Sequence, residues 1–207
     1  MLHIEFLVEE PSIKAALTHL LPQIFSSHVT FTIHPFQGKP DLMKKLPKRL
    51  KGYCSWLPND WKIIILIDED RQECQQLKME LETIAQKAGF VTKSSVIKNQ
   101  VFQVVNRIVI EELEAWFFGD VEAICQAYPR VKSSLANQKR YRDPDAILGG
   151  TWEALERELK KAGYHQGGLE KYKASGDIAK YMSPQVNRSK SFQVFYHTLL
   201  ELTKNNQ

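Results

Sequence analysis

Ile63-Ile64-Ile65-Leu66-Ile67-Asp68-Glu69-Asp70 decides the fold of this chain. Five aliphatic residues run without interruption into an acidic Asp-x-Asp. An unbroken apolar run of this length reads as a strand buried on both faces, the kind found in parallel sheets. Asp68 and Asp70 then stand at its carboxyl end, where open α/β sheets bind their ligands. Two carboxylates so close repel each other unless a cation or a base lies between them. A hard divalent metal with oxygen ligands meets that need.

On either side the sequence alternates strand and helix. Leu2 to Val8 is a strand candidate, followed by the turn Glu9-Glu10-Pro11-Ser12. Ser12 suits the cap of a helix from Ile13 to about Leu21, ended by Pro22. Val29 to Phe36 alternates and is rich in β-branched residues, a second strand. Pro40 to Leu50 reads as a basic helix and Trp61 to Ile67 as the third strand. Arg71 to Ala88 carries Leu77, Leu81 and Ile84 on one helical face. Phe90 to Ile110 holds one or two more strands, and helical spacing returns from Glu111 to Phe118. Residues 1–125 are therefore expected to form an α/β core with a mostly parallel sheet flanked by helices. Residues 126–207 read differently. A basic loop with Lys132, Lys139, Arg140 and Arg142 precedes helical stretches from Thr151, from Leu169 to Met182, and from Ser189 or Lys190 to Leu202. They are expected to form a helical extension packed on the core.

Bulk composition sets wide bounds. With 207 residues, 43% hydrophobic and 25% charged, the chain can bury a sizeable core, and wholesale disorder is excluded. Its net charge of +4 permits contact with a polyanion without demanding it. There is no apolar run long enough for a bilayer. Met1-Leu2-His3-Ile4-Glu5 does not resemble a signal peptide. Cys54, Cys74 and Cys125 are odd in number and lack metal-type spacing. These features lead us to expect a cytoplasmic protein with reduced thiols and no membrane partner.

Carboxylates follow a strand at three places: Glu9 with Glu10, Asp68 with Asp70, and Glu112 with Glu114. In a parallel sheet all three lie along one edge. Oxygen ligands converging there suit Mg²⁺ or Mn²⁺, and two such ions can serve phosphodiester hydrolysis. Each place has a second reading. Glu9 and Glu10 also suit a helix N-terminus, Asp68 also suits a helix N-cap, and Glu111, Glu112 and Glu114 also suit a solvated helix face.

The motifs Phe6-Leu7-Val8-Glu9-Glu10-Pro11-Ser12, Gln37-Gly38-Lys39, Leu66-Ile67-Asp68-Glu69-Asp70-Arg71 and Glu112-Leu113-Glu114-Ala115-Trp116-Phe117-Phe118-Gly119-Asp120 carry a resemblance. So does Asn187-Arg188-Ser189-Lys190-Ser191-Phe192. Together they resemble a Toprim-like family catalogued as a domain of unknown function. That family is related to the Toprim nucleases that accompany overcoming-lysogenization-defect ATPases. The resemblance implies a Toprim-like, Rossmann-like fold and a Mg²⁺-dependent (or Mn²⁺-dependent) nuclease or other phosphodiester-processing enzyme, in a bacterial defence, phage-defence or DNA-repair setting. It implies Glu9 as general base or metal ligand, Asp68 and Asp70 as metal ligands, and Glu112 and Glu114 around a second metal. It also admits a non-catalytic regulatory or nucleic-acid-binding module that works with an ATPase partner. The chain departs from the Toprim pattern at Glu10, which stands where such proteins often carry glycine.

Cations complete the expectation. Lys39 follows strand two, where a lysine can meet a phosphate. Lys44, Lys45, Lys48, Arg49 and Lys51 form a cationic stretch that fits either a nucleic-acid backbone or a solvated face. Arg188, as a phosphate contact, and Lys190, as a catalytic cation, are candidates to offset charge on a pentavalent phosphorus. The tryptophans and histidines read as structural. An aspartyl-phosphate chemistry at Asp68 is a third option, although its nucleophile usually lies on the first strand.

Overall fold

The Ile63–Ile67 run is a central strand, as its sequence demands. The computed structural model describes residues 1–70, 72–98 and 100–204. It contains the strands β1 (Leu2–Val8), β2 (Val29–Pro35), β3 (Lys62–Asp68) and β4 (Val104–Val109). They form one all-parallel sheet in the order β2-β1-β3-β4. All seven residues of β3 are buried. Ile64 and Leu66 join one apolar layer and Ile63, Ile65 and Ile67 the other, so no position of the run is left for polar alternation. The alternation in β2 belongs to an edge strand with one wet face.

Helices cover both faces. The first is α1 (Pro11–Ile24), after β1. Next come α2 (Lys39–Cys54), between β2 and β3, and α3 (Cys74–Lys87), between β3 and β4. Leu42, Leu46 and Leu50 of α2 and Leu77 and Leu81 of α3 bury against Leu7 and the odd-numbered isoleucines of β3. Beyond β4 lie α4 (Glu114–Gly119), α5 (Val121–Ala127), α6 (Thr151–Lys161), α7 (Lys171–Ala179) and α8 (Lys190–Lys204). Three short 3₁₀ turns fill residues 133–146. These later helices share one apolar layer with α1, in which Trp116 stacks on Phe195 and meets Phe192 edge to face. Helix α7 packs along α1. Among the described residues no helix is long and apolar enough to cross a membrane.

Several boundaries differ from the sequence expectation. Pro22 lies inside α1, which runs on to Ile24. A proline removes one backbone donor, and near a helix end that loss is small. Pro11 occupies the first turn of α1 and Glu10 the cap position, so Ser12 is helical and donates its hydroxyl to Glu10 Oε2 at 3.1 Å. Helix α3 starts at Cys74 because the Glu73 carboxylate accepts the N–H groups of Gln75 and Gln76. The expected start at Arg71 lies outside the described residues. Among the described residues between Phe90 and Ile110, only β4 and an isolated bridge from Thr92 to Val104 form.

Candidate active site

Strand order explains where the acids meet. From β1 the chain crosses outward to β2 and then back past β1 to β3, so the direction of winding reverses between β1 and β3. A crevice opens at such a reversal, outside the carboxyl ends of the strands. Glu9 follows β1 and Asp68 ends β3, one on each side of it. The Asp68 backbone N–H donates to Glu9 Oε2 at 2.9 Å. The Lys39 backbone N–H donates to Glu9 Oε1 at 3.0 Å. Gly38 N–H reaches the Glu9 carbonyl at 3.0 Å and takes φ 91°, which glycine adopts without strain. This is why Gly38-Lys39 follows strand two: the start of α2 is wrapped around Glu9.

The loop after β3 is strained. Asp70 has φ 53° and Glu111, at the end of β4, has φ 61°. Left-handed non-glycine residues cost about 1–3 kcal/mol each and gather at functional sites. They support each other here, since Asp70 N–H donates to the Glu111 carbonyl at 2.9 Å and Glu111 N–H to Glu69 Oε2 at 3.2 Å. Lys39 Nζ holds the same loop, at 2.9 Å from both Asp70 Oδ2 and the Glu69 carbonyl oxygen.

Of the acids at this crevice, Glu9, Asp68 and Glu114 are buried. Burial pushes Glu9 up to about 7, with Asp70 and Glu10 adding to the shift while the Asp68 N–H and Lys39 oppose it. Burial likewise pushes Glu114 to about 7, against the pull of Lys171. Asp68 is held well above the usual carboxylate range by burial first, then by Glu9, Glu114, Asp70 and Glu10. Its Oδ1 is buried with no hydrogen-bond donor. An orphaned acceptor costs about 1–3 kcal/mol, which asks for an explanation. A bound cation would supply one, and oxygen-only donors fit Mg²⁺ or Mn²⁺. Among the described residues no three such side chains stand ready-made as a metal cage.

Glu112 is placed differently from Glu114. Its Oε2 accepts Thr151 Oγ1 at 2.9 Å and Trp152 N–H at 3.1 Å, so it binds the N-terminus of α6. The segment therefore divides the two roles that its spacing left open, a carboxylate on a helix and a carboxylate in the crevice.

A scan against family models matches residues 8–200 to a domain of unknown function, DUF4276. The chain belongs to the DUF4276 family. This DUF4276 chain is also similar to a solved structure, the C-terminal region of the OLD protein of Xanthomonas campestris pv. campestris. The two share 14% identity over 98% of this chain and 97% of that one, with a TM-score of 0.50. At that identity the likeness shows a common fold. No curated protein matches this DUF4276 chain.

Besides Lys39, the acids face a cation that the sequence did not single out. Lys171, the first residue of α7, feels Glu114, Glu112, Glu10 and Asp68 together. Burial alone depresses its ammonium, but these four carboxylates hold it above its ordinary value. Its Nζ also lies 5.3 Å from the centre of the Trp152 ring. The only sequence signal was a weak one: a lysine at a helix N-terminus opposes the dipole and needs acidic neighbours. The other candidate cations lie apart. Lys190 N–H donates to Asp145 Oδ2 at 2.5 Å, where Asp145 caps α8. Arg188 joins the backbone of Phe118 and Gly119. Lys44 and Lys45 lie on a separate groove along α2, with Lys45 paired to Asp41.

Proposed function

We propose that this DUF4276 protein is a Toprim-type, metal-dependent phosphodiester hydrolase acting on nucleic acid. One observation carries the reading. The oxygen Asp68 Oδ1 is buried without a donor among carboxylates that repel one another. Such a group is stabilised by a proton or by a bound cation, and the cation is what leaves its oxygens available for chemistry. Asp68, Asp70, Glu9 and Glu114 would hold Mg²⁺ or Mn²⁺, with Glu112 next to the second position. When bound, the metal would polarise the phosphate and stabilise the leaving oxygen.

The chain's own groups have separate tasks. Glu9, poised near neutrality, can accept a proton from the attacking water at Oε1 or Oε2. Lys39 fixes the Asp70 loop and Lys171 brings positive charge to the far side of the crevice, where negative charge builds on the phosphate. The fold shared with the OLD C-terminal region supports this reading, as do the motifs that resemble the Toprim nucleases. The setting we infer is bacterial defence or DNA repair, alongside an ATPase.

A second reading has its own support. Both oxygens of Glu9 already accept backbone N–H groups and Asp70 is already paired with Lys39. A closed hydrogen-bond set of this kind suits a regulatory module that binds and does not cut. Calorimetric titration with Mn²⁺, together with a cleavage assay on labelled oligonucleotides, separates the two. Binding and cleavage that are both lost in Asp68→Ala support the hydrolase. Absence of Mn²⁺ binding by the wild-type protein overturns it.

A further inference from the structure

A second concave surface lies outside the acidic crevice. It is a groove of about 760 Å³ on the outer side of α2, reaching to the end of β2. Lys44, Lys45, Lys48 and Arg49 line one stretch of it and Tyr53 and Trp56 the next. This order follows helical spacing, so the cations and the aromatic rings share one face.

The floor of the groove is built, not incidental. Glu5 is buried beneath it and accepts Tyr53 Oη at 2.7 Å and His34 Nε2 at 2.5 Å. Arg49 Nη2 lies 2.9 Å from His34 Nδ1. Arginine can only donate, so Nδ1 is the acceptor and the proton sits on Nε2. Although burial raises the Glu5 carboxyl, hydrogen bonds from Tyr53, His34 and His3 bring it below its ordinary value. Arg49 also lies over the Tyr53 ring, 5.3 Å from its centre. Its guanidinium is thus held in place by a ring and a histidine, with its remaining donors free of any carboxylate among the ion pairs of the described residues.

Two residues shape the far end of the groove. Trp56 is 57% exposed, a large apolar ring left in water at the groove's end. One side of it is taken by Tyr53 and Trp61, at 5.3 and 5.9 Å between ring centres. Gly52 lies inside α2, where glycine costs about 1 kcal/mol against alanine. A Cβ there would meet nothing within 4 Å, and no positive φ calls for glycine. Its bare backbone keeps the groove open between Arg49 and Trp56.

We propose that this groove binds single-stranded nucleic acid, with a base stacked on Trp56 over Gly52 and the adjoining phosphates on Lys48, Arg49 and Lys44. An exposed ring next to cations that, like Lys44, Lys48 and Arg49, join no ion pair among the described residues is the combination that holds unpaired bases without reading sequence. A duplex keeps its bases stacked internally and offers none to Trp56. Helix α2, 16 residues or about 24 Å long, carries the groove along its length and begins at Lys39 in the acidic crevice. A strand seated in the groove is therefore delivered toward Asp68. The inference deepens the hydrolase reading by naming its substrate class, and rests on that reading only for what happens at the crevice.

The test is fluorescence anisotropy with labelled oligonucleotides of about 15 nucleotides, a length within known single-strand sites, in EDTA so that binding is read without cleavage. A DNA strand, an RNA strand, a blunt hairpin duplex and a mononucleotide are compared. Single strands are expected to bind at least tenfold more tightly than the duplex or the mononucleotide. Trp56→Ala is expected to weaken them about tenfold, and Trp56→Phe to stay within about threefold. Lys48→Ala is expected to lower the slope of log affinity against log salt by about 0.7. Gly52→Leu is expected to abolish binding while melting no lower than wild type. Equal binding of duplex or mononucleotide, no binding, or unchanged binding in both Trp56→Ala and Gly52→Leu overturns the proposal. Groove binding without Mn²⁺-dependent cleavage defeats the hydrolase reading alone. Cleavage that is indifferent to the groove variants defeats the groove alone.

Discussion

The Asp68 backbone N–H donates to the Glu9 carboxylate at 2.9 Å, tying the carboxyl end of β3 to that of β1. The other oxygen of Glu9 takes the first N–H of α2. One buried side chain thus joins three segments at the point where the sheet reverses its winding. It does so as a carboxylate among carboxylates, so structure and charge pull against each other here. The consequences are measurable.

The metal-free protein should lose stability as pH rises from about 4.5 to above 7. Glu9 and Glu114 have folded values raised to about 7, and Asp68 is raised as well. In that window the folded state holds more protons than the unfolded chain, so stability falls with pH. Glu5, Glu82 and Glu158 are shifted down and act in the opposite sense, but only below their ordinary range near 4.5. A tenfold change in an acidity constant is worth about 1.4 kcal/mol. Each kcal/mol moves the melting point of a domain this size by about 2–4 °C. Differential scanning fluorimetry in EDTA should show a fall of about 10–20 °C from pH 5 to pH 8. Millimolar Mg²⁺ should recover most of it at pH 8 and little at pH 5. A flat profile would remove the case for a strained acidic cluster.

Asp68→Asn should make the metal-free protein more stable and less capable. It deletes the most heavily penalised charge of the cluster and keeps the side-chain shape. The expected gain at pH 8 is about 1–2 kcal/mol, on the scale of other stabilising changes made at functional sites. Mn²⁺ binding should drop at least a hundredfold by calorimetry. A variant that melts lower than wild type at pH 8 would show that Asp68 is a structural acid.

Much of this site was legible because it is local. The aliphatic run before Asp68, and the strands ahead of Glu9 and Glu112, locate their acids within three residues of a strand end. A parallel sheet then gathers them on one edge without further information. What could not be read depends on distant packing. Lys171 reaches the acids because α7 lies along α1, a pairing that no spacing within residues 169–182 announces. The left-handed turns at Asp70 and Glu111 are imposed by hydrogen bonds between two loops, so neither residue type advertised them. Glu112 and Glu114 differ in role because Thr151 and Trp152 arrive to claim one and not the other.

Lys171 and Lys190 can be told apart by one pair of variants. Lys171→Gln should lower the melting point by about 3–6 °C at pH 8, because Glu114, Glu112 and Asp68 lose their common counter-charge. At pH 5 the loss should shrink, since Glu114 is then protonated. Lys190→Ala should stay within about 0.5 kcal/mol at both pH values, as expected of an exposed side chain whose helix is capped through its backbone. If the protein cuts nucleic acid, Lys171→Gln should cost on the order of a hundredfold in kcat, and Lys190→Ala less than tenfold. Equal losses in kcat would return Lys190 to the site.

Gly119→Ala tests why two distant motifs occur together in the sequence. Arg188 N–H donates to the Gly119 carbonyl at 2.9 Å, and Asn187 Nδ2 to the Trp116 carbonyl at 2.8 Å. A Cβ on Gly119 would lie 2.0 Å from Asn187 Oδ1 and 2.9 Å from the Ser189 backbone nitrogen. Neither neighbour can retreat cheaply. Asn187 Oδ1 accepts Ser189 N–H at 3.0 Å, and Ser189 in turn gives its hydroxyl to Asp145 at 2.7 Å. The clash therefore spreads into the cap of α8, whose Phe192 and Phe195 pack on Trp116. We expect Gly119→Ala to cost about 3 kcal/mol or more, the range reserved for overpacking and for broken buried networks. Urea unfolding should show the midpoint falling while the slope stays unchanged. The double variant Gly119→Ala with Asn187→Gly should recover part of the loss by making room for the methyl group. A single Gly119→Ala variant as stable as wild type would mean that these two segments do not meet as described.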